Sequence, residues 1–384
     1  MIFSSEKQSV RILHTGDLHL DSPFACLSPE KSEERRRELR ETFGRLINLA
    51  RQEQVDLILI AGDLFDAAYV TSRTANRIIE EFAALRPTEI VIAPGNHDPY
   101  TPKSLWASGR LPANVHVFST EDLAAFSFPA LGVTVYGWAF LSDRLEFSPL
   151  ASRRVDDPDR LNLICGHCDL GVPLSKYAPV TTADVAAFGA QYAAFGHRHV
   201  IAPPQTIGER TLCAYCGCIE GRSFDEPGKG GVYIIDAKKQ EGGWALSLRR
   251  VPLALRRYET ATVDISGVDS EREVGRRIKA VVEENGYGRD TALRVTLTGA
   301  TPPAFSVPRE ANGEALGLFY LELIDRTTPT FDAKYLEADM SVRGELYRSL
   351  LPYLTTGSAE ERATAARALR MGMAALAGED ISSL

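Results

Sequence analysis

No apolar run in this 384-residue chain approaches the length needed to span a bilayer, about 20 residues. The opening stretch, Met1-Ile2-Phe3-Ser4-Ser5-Glu6-Lys7, holds no hydrophobic region of signal-peptide type, so a cytoplasmic protein with no membrane partner is expected. Positive charge is also in deficit: 43 Lys and Arg against 51 Asp and Glu leave a net charge of -8, which argues against a generally basic nucleic-acid coat. DNA bound through a local patch stays open, because phosphate contacts need only a few placed cations. Cysteine is sparse, and in a reducing compartment Cys26, Cys165, Cys168, Cys213, Cys216 and Cys218 are expected as thiols. Two Cys-x-x-Cys spacings admit a zinc site. The first brackets His167 at a strand end and the second runs into a crowded Cys216-Gly217-Cys218 turn, so small buried residues are the expectation. No internal repeat or low-complexity tract is present. The remainder is ordinary: 44% hydrophobic and 24% charged residues exclude disordered and fibrous classes, and the length suffices for one large catalytic domain plus smaller ones.

Val10 to Thr15 forms a β-prone run that stops at Gly16, followed at once by Asp17-Leu18-His19. From Pro29 to about Gln54 the pattern predicts a helix with Leu39, Phe43, Leu46, Ile47 and Ala50 on one face. Its Arg35, Arg36, Arg37 and Arg40 lie among glutamates, which reads as a solvated face, with a DNA-phosphate contact as the functional option. Val55 to Ala61 is nearly continuously apolar, as in a strand covered on both sides, and ends in Gly62-Asp63-Leu64-Phe65-Asp66. A helix over about Ser72 to Leu85 and a strand over Glu89 to Ala93 follow, leading through Pro94 into Gly95-Asn96-His97-Asp98. This rhythm implies parallel strands with right-handed helical crossovers, whose loops emerge on one sheet edge.

Beyond Trp106 the chain turns to short strands near Val115 to Phe118, Ala125 to Phe128 and Val133 to Trp138. Arg160 to Cys165 and Tyr192 to Phe195 repeat the buried-strand pattern, ending at Gly166-His167 and Gly196-His197-Arg198-His199. A hairpin of Gly231 to Asp236 with Trp244 to Val251 is expected to close the second half of a layered sheet. A boundary falls within Pro252 to Arg257. After it come a strand over Glu259 to Ile265, a helix over Ser270 to Glu284 stopped by Asn285-Gly286, and strands over Ala292 to Leu297 and Leu316 to Ile324. From Ser341 two helices are separated by Thr355-Thr356-Gly357, the second opening on a Ser358 to Glu361 capping box. The expected organisation is an α/β class fold with three parts: a catalytic layered β-sandwich flanked by helices over 1–252, a small α+β domain over 257–330, and a helical region over 335–384.

Five strands thus end in glycine-flanked polar loops, which together carry Asp17, His19, Asp63, Asp66, Asn96, His97, His167, His197 and His199. His14 and His116 are expected to be packed or surface residues. One such loop means little, but packing does not explain five. Clustered buried Asp and His residues repel or desolvate badly unless cations neutralise them.

These residues resemble, in order and spacing, the five signatures of the calcineurin-like metallophosphoesterases: Asp17-x-His19, Gly62-Asp63-x-x-Asp66, Gly95-Asn96-His97-Asp98, Gly166-His167 and Gly196-His197-x-His199. Asp17 to Phe24, Tyr215-x-Gly217 and Glu220-Gly221-Arg222 narrow the resemblance to the bacterial Mre11/SbcD-like DNA-repair exonuclease branch of YhaO type. The chain departs from the usual first signature at Asp21, where Gly often stands. The resemblance covers residues 10 to about 250 and is architectural beyond. It implies two divalent cations bridged by Asp63, one with Asp17, His19 and His199, the other with Asn96, His167 and His197. Mixed oxygen and nitrogen donors suit manganese, with iron, zinc or cobalt as alternatives. The resemblance places neither His97 nor Asp66 among the ligands; for them the expected roles are catalytic, Asp66 accepting a hydrogen bond that orients His97 and raises its pKa, and His97 protonating the leaving alkoxide or stabilising the transition state.

The expected function is metal-dependent phosphodiester hydrolysis. The resemblance adds DNA as substrate, exonuclease activity in DNA repair, and an SbcC/Rad50-like ATPase partner bound by the C-terminal helices. A homodimer is one option for the assembly. Two alternatives stand beside it: a nucleotide or cyclic-nucleotide phosphodiesterase, and a non-catalytic DNA-end or ATPase scaffold. A protein Ser/Thr phosphatase is disfavoured because Ala67-Ala68 and Asp98 replace its Arg-Gly and Glu.

Overall fold

The computed structural model describes residues 7–25, 27–302, 305, 307–308, 312–330 and 333–376; the expected thiol Cys26 lies outside them. In chain order, β1 (Ser9–Thr15) leads to α1 (Pro29–Gln52), β2 (Leu57–Ile60), α2 (Ser72–Ala83), β3 (Glu89–Ile92) and β4 (Val115–Val117). Strands β1 to β4 are parallel neighbours in one six-stranded sheet. The second sheet contains β5 (Ala124–Phe128), β6 (Val133–Gly137), β7 (Leu161–His167), and the strands Tyr192–Gly196, Gln205–Ile207 and Thr211–Tyr215. A short helix, α3 (Thr182–Phe188), which the sequence pattern does not announce, precedes Tyr192–Gly196.

Strand periodicity explains why the central strands read as unbroken apolar runs. Leu57 and Leu59 enter a core shared with Val133, Val135, Leu161 and Leu163 of the facing sheet, whereas Ile58 and Ile60 pack against Leu39, Phe43, Ile78 and Phe82 of α1 and α2. Both faces are therefore dry, and alternation disappears from the sequence. The sandwich is two sheets deep, with helices outside the first.

The hairpin Gly231–Gln240 with Gly243–Pro252 departs from expectation. It pairs antiparallel with β1, completing the first sheet instead of the second. Val232 and Ile234 face the helix layer while Tyr233, Ile235 and Ala237 face the inter-sheet core, so only a position covered on both faces suits this strand. Its partner lies more than 200 residues away, and nothing local marks it.

Arg35 also departs from expectation. It is fully buried, where a solvated helix face was expected, and donates to Glu38 and, through Nη2, to Glu220 Oε1 at 2.9 Å and Gly221 O at 2.8 Å. Glu220 accepts further bonds from Thr42 Oγ1 and the backbone N–H groups of Leu255 and Arg256. This network fastens α1 to the segment that leaves the sandwich. Arg35→Ala removes the charged partner of buried Glu220 and one of two for Glu38, which keeps Arg256, and should cost about 3 kcal/mol of stability, read as a fall in the urea midpoint at unchanged m-value.

Contacts divide the chain between Arg257 and Tyr258. The second unit has a three-stranded sheet of Arg257–Asp264, Thr291–Thr298 and Tyr320–Asp325. Helix α4 (Glu271–Glu284) buries Val274, Ile278 and Val282 in its core. The expected strand over Leu316 to Ile324 starts only at Tyr320, because Glu314–Leu316 winds into a 3-10 turn closed by Gly317. Three helices follow: α5 (Ala333–Ala338), unforeseen, α6 (Val342–Thr356) and α7 (Ala359–Leu376). Thr355 and Thr356 belong to α6, so the break falls at Gly357. The Ser358 and Glu361 capping bonds are both formed. Among the described residues no helix is long and apolar enough to cross a membrane.

Candidate metal centre

The loops after β1, β2, β3, β7 and Tyr192–Gly196 meet at one place. Asp17, His19, Asp63 and His197 all sit at positive φ, 51°, 46°, 52° and 96°, a cost that persists only where surrounding contacts over-determine the backbone. Those contacts are visible. Asp17 N–H donates to Gly62 O and His19 N–H to Asp63 O, while Asp17 Oδ1 and Oδ2 accept from His197 N–H at 3.0 and 3.1 Å. Gly62 and Gly95 let the loops close: a Cβ on Gly62 would strike the His167 ring, and one on Gly95 would strike the Asp63 carboxylate.

The imidazoles arrive in fixed tautomers. His167 Nδ1 donates to Ala61 O at 2.9 Å, His19 Nδ1 to Asp66 Oδ1 at 2.8 Å, and His199 Nδ1 to Glu226 Oε1 at 2.7 Å. Each ring is thereby oriented with Nε2 inward, the arrangement typical of metal-ligating histidine. The inward atoms crowd together. His19 Nε2 lies 3.1 Å from His199 Nε2 and 3.6 Å from Asp63 Oδ2. His167 Nε2 lies 2.9 Å from Asn96 Oδ1, 3.2 Å from His197 Nδ1 and 3.3 Å from Asp63 Oδ2.

Asp63 is the shared member. Its Oδ1 accepts from His97 N–H at 2.9 Å, whereas its buried Oδ2 has no hydrogen-bond partner among the described residues. An orphaned carboxylate oxygen between two sets of nitrogen lone pairs fits divalent cations on either side. Asp17, His19, Asp63 and His199 have ligand atoms within 4.8 Å of one another, and His167 Nε2, which contacts Asn96 and His197, also approaches Asp63 Oδ2. Burial pushes the Asp63 carboxyl upward, but His167, His19 and His97 outweigh it and hold its pKa below the ordinary value.

His97 is half exposed, with Nδ1 3.1 Å from Asp66 Oδ1. The hydrogen bond to Asp66 raises the His97 pKa against the effect of burial. Asp66 Oδ1 is also the acceptor for His19, so this carboxylate serves both histidines. Burial raises the Asp66 pKa, and the two histidine bonds more than reverse it.

Three carboxylates escaped sequence reasoning as parts of the site. Fully buried Asp98 accepts from the N–H groups of Asp63 at 3.0 Å, Gly95 at 2.7 Å and Leu64 at 2.8 Å, binding two ligand loops together. Glu226 holds His199, and Asp169 lies 3.6 Å from His197 Nε2. Only Asp98 carried a signal, its place in the Gly95 to Asp98 run. Arg198 turns away from the ligands, donating to Leu170 O at 2.7 Å above the Tyr215 ring. His14, between the sheets, contacts the Tyr192 hydroxyl at 2.8 Å, and burial pushes its imidazole down to about 3. His116 pairs with Glu89 at 2.8 Å. Cys165, Cys168, Cys213, Cys216 and Cys218 are free and buried.

Residues 10–201 match the calcineurin-like phosphoesterase family, and the chain belongs to it: a metallophosphoesterase, dependent as a class on divalent metal ions. Residues 258–314 match the middle domain of the metallophosphoesterase YhaO. The chain is 28% identical over 304 residues to the uncharacterized metallophosphoesterase YhaO of Bacillus subtilis, covering 76% of this chain and 72% of that one. It is 28% identical over 280 residues to a subunit of the SbcCD nuclease of the same organism, covering 61% and 68%. With the DNA double-strand break repair protein Mre11 of Methanopyrus kandleri it shares 25% over 316 residues, covering 75% and 68%. These relatives put the chain on the Mre11/SbcD-like branch.

Proposed function

We propose that this chain is a two-metal phosphodiesterase that acts on DNA as an exonuclease in DNA repair, together with an SbcC/Rad50-like ATPase. The observation that carries the hydrolytic part is the buried Asp63 Oδ2, which has no hydrogen-bond partner among the described residues and lies 3.6 Å from His19 Nε2 and 3.3 Å from His167 Nε2. Asp17, His19 and His199 would hold one cation and Asn96, His167 and His197 the other, with Asp63 between; manganese is the expected metal. Such a pair supplies a nucleophilic water of lowered pKa and neutralises charge on the phosphoryl oxygens. The protein's own task is to fix the ligands through Asp66, Glu226, Ala61 O and Asp98, and to present His97 at the open face. There His97, protonated and oriented by Asp66, gives its proton to the departing alkoxide.

DNA and the ATPase are supported by relatives named as a nuclease subunit and as DNA double-strand break repair proteins. The unit after Tyr258 would guide the DNA. The exposed side chains of Met340 and Val342 at the start of α6 and Tyr353 near its end would meet the ATPase. The double variant Met340→Asp, Tyr353→Asp should reduce ATPase capture at least tenfold while small-diester turnover is unchanged; undiminished capture would remove the helical region from the partner interface. The nuclease proposal is tested by assaying manganese-loaded protein on linear DNA and on bis(4-nitrophenyl) phosphate, with and without the ATPase. Hydrolysis of both supports it, whereas diester turnover with intact DNA under every condition defeats it.

A further inference from the structure

Glu226 commits both carboxylate oxygens within one short loop. Oε1 accepts from His199 Nδ1 and from Arg222 Nη2, each at 2.7 Å. Oε2 accepts from the Arg222 backbone N–H at 2.7 Å and from Arg222 Nε at 3.4 Å, and the Cys218 thiol lies 3.7 Å away. Arg222 is thus held by its main chain and by its guanidinium fork. The same Nη2 lies 2.8 Å from His199 Nδ1.

That last approach cannot be a hydrogen bond when His199 offers Nε2 to a cation. Nδ1 then carries the proton, gives it to Glu226, and has no lone pair for Arg222. One Nη2 hydrogen and both Nη1 hydrogens are left with no acceptor among the described residues. The Arg222 side chain is 17% exposed and its Nη1 is not among the buried unpaired atoms, so these donors face solvent, where an anion can reach them. Through His199 it adjoins the site: the His199 and His19 ring centroids lie 4.9 Å apart, as do those of His19 and the half-exposed His97.

We propose that Arg222 binds phosphate: its unclaimed guanidinium hydrogens contact a non-bridging oxygen of the substrate diester and of the released monoester, while Glu226 positions both Arg222 and His199. The assignment rests on the phosphodiesterase reading above. The competing role is charge balance alone, in which Arg222 only neutralises Glu226.

The two roles separate when metal and anion affinities are measured independently on the full chain. Calorimetric titrations of manganese into metal-free protein, and of inorganic phosphate into manganese-loaded protein, would be run on the wild type, Arg222→Gln and Glu226→Gln. Turnover of bis(4-nitrophenyl) phosphate would be followed alongside. Arg222→Gln should keep near wild-type manganese affinity, lose phosphate affinity by roughly tenfold or more, and raise KM more than it lowers kcat. Glu226→Gln should weaken both affinities, because His199 is released as well. Unchanged phosphate affinity in Arg222→Gln would overturn the proposal, as would equal losses of manganese and phosphate affinity. If Arg222→Gln does not fold, Arg222→Lys replaces it: the charge remains but the fork does not, so phosphate affinity should fall with manganese affinity retained, and no fall would overturn the proposal. A wild type inactive on the diester would defeat the phosphodiesterase reading alone, and the phosphate titrations would still decide the role of Arg222.

Discussion

Asp63→Asn should lower phosphodiester turnover by roughly a thousandfold, since the change removes the charge proposed to lie between the two cations and with it several kcal/mol of transition-state stabilisation. The effect should be chemical and not architectural. Asp98 still ties the Asp63, Leu64 and Gly95 backbones together, and the amide oxygen can still accept from His97 N–H. The metal-free variant should therefore melt no lower than the metal-free wild type, whose buried Asp63 Oδ2 has no partner. Manganese at a hundred times its dissociation constant should stabilise the wild type by about 2.7 kcal/mol per site, and the variant by markedly less. Thermal melts with and without manganese, paired with steady-state turnover, check both halves; a lower metal-free melting point would show Asp63 to be a structural residue.

The second large effect belongs to His97. His97→Ala should slow hydrolysis of substrates with alkoxide leaving groups by about 10²- to 10⁴-fold, the range for loss of a positioned general acid, while both cations remain bound. A nitrophenolate leaves without needing a proton, so the same variant should lose far less on bis(4-nitrophenyl) phosphate. The bond to Asp66 holds the His97 pKa above the ordinary imidazole value of about 6.5. The acid form therefore persists above that pH, and turnover that needs it should fall as pH rises through the raised pKa. Asp66→Ala should differ from His97→Ala in kind, because Asp66 also fixes His19. We expect it to lose metal affinity by about 10- to 100-fold in addition, visible in a manganese titration.

The proposed ligand set was legible because Asp17, Asp63, Asn96, His167 and His197 each follow a glycine at the end of an apolar run, with His19 and His199 two residues beyond Asp17 and His197, a pattern contained within a few residues. The supporting residues leave no such trace. Glu226 reaches His199 across a loop that has no periodicity, and Asp66 looks like the partner of one histidine until the fold brings His19 to the same oxygen. Arg35 sits in a charged helical stretch whose composition says solvent, yet its partner Glu220 arrives from 185 residues away. The hairpin Gly231–Pro252 was readable as a hairpin, but its place beside β1 is a pairing with a strand more than 200 residues earlier. Local chemistry was therefore visible in the sequence, and long-range pairing of charges and strand edges was not.

The most direct test of the account is the position of manganese in crystals of the full chain, located by anomalous scattering. Two peaks should flank Asp63 Oδ2 at a separation of about 4 Å, one within bonding distance of Asp17, His19 and His199 and the other of Asn96, His167 and His197. A single peak, or two that leave Asp63 uncoordinated, would contradict it.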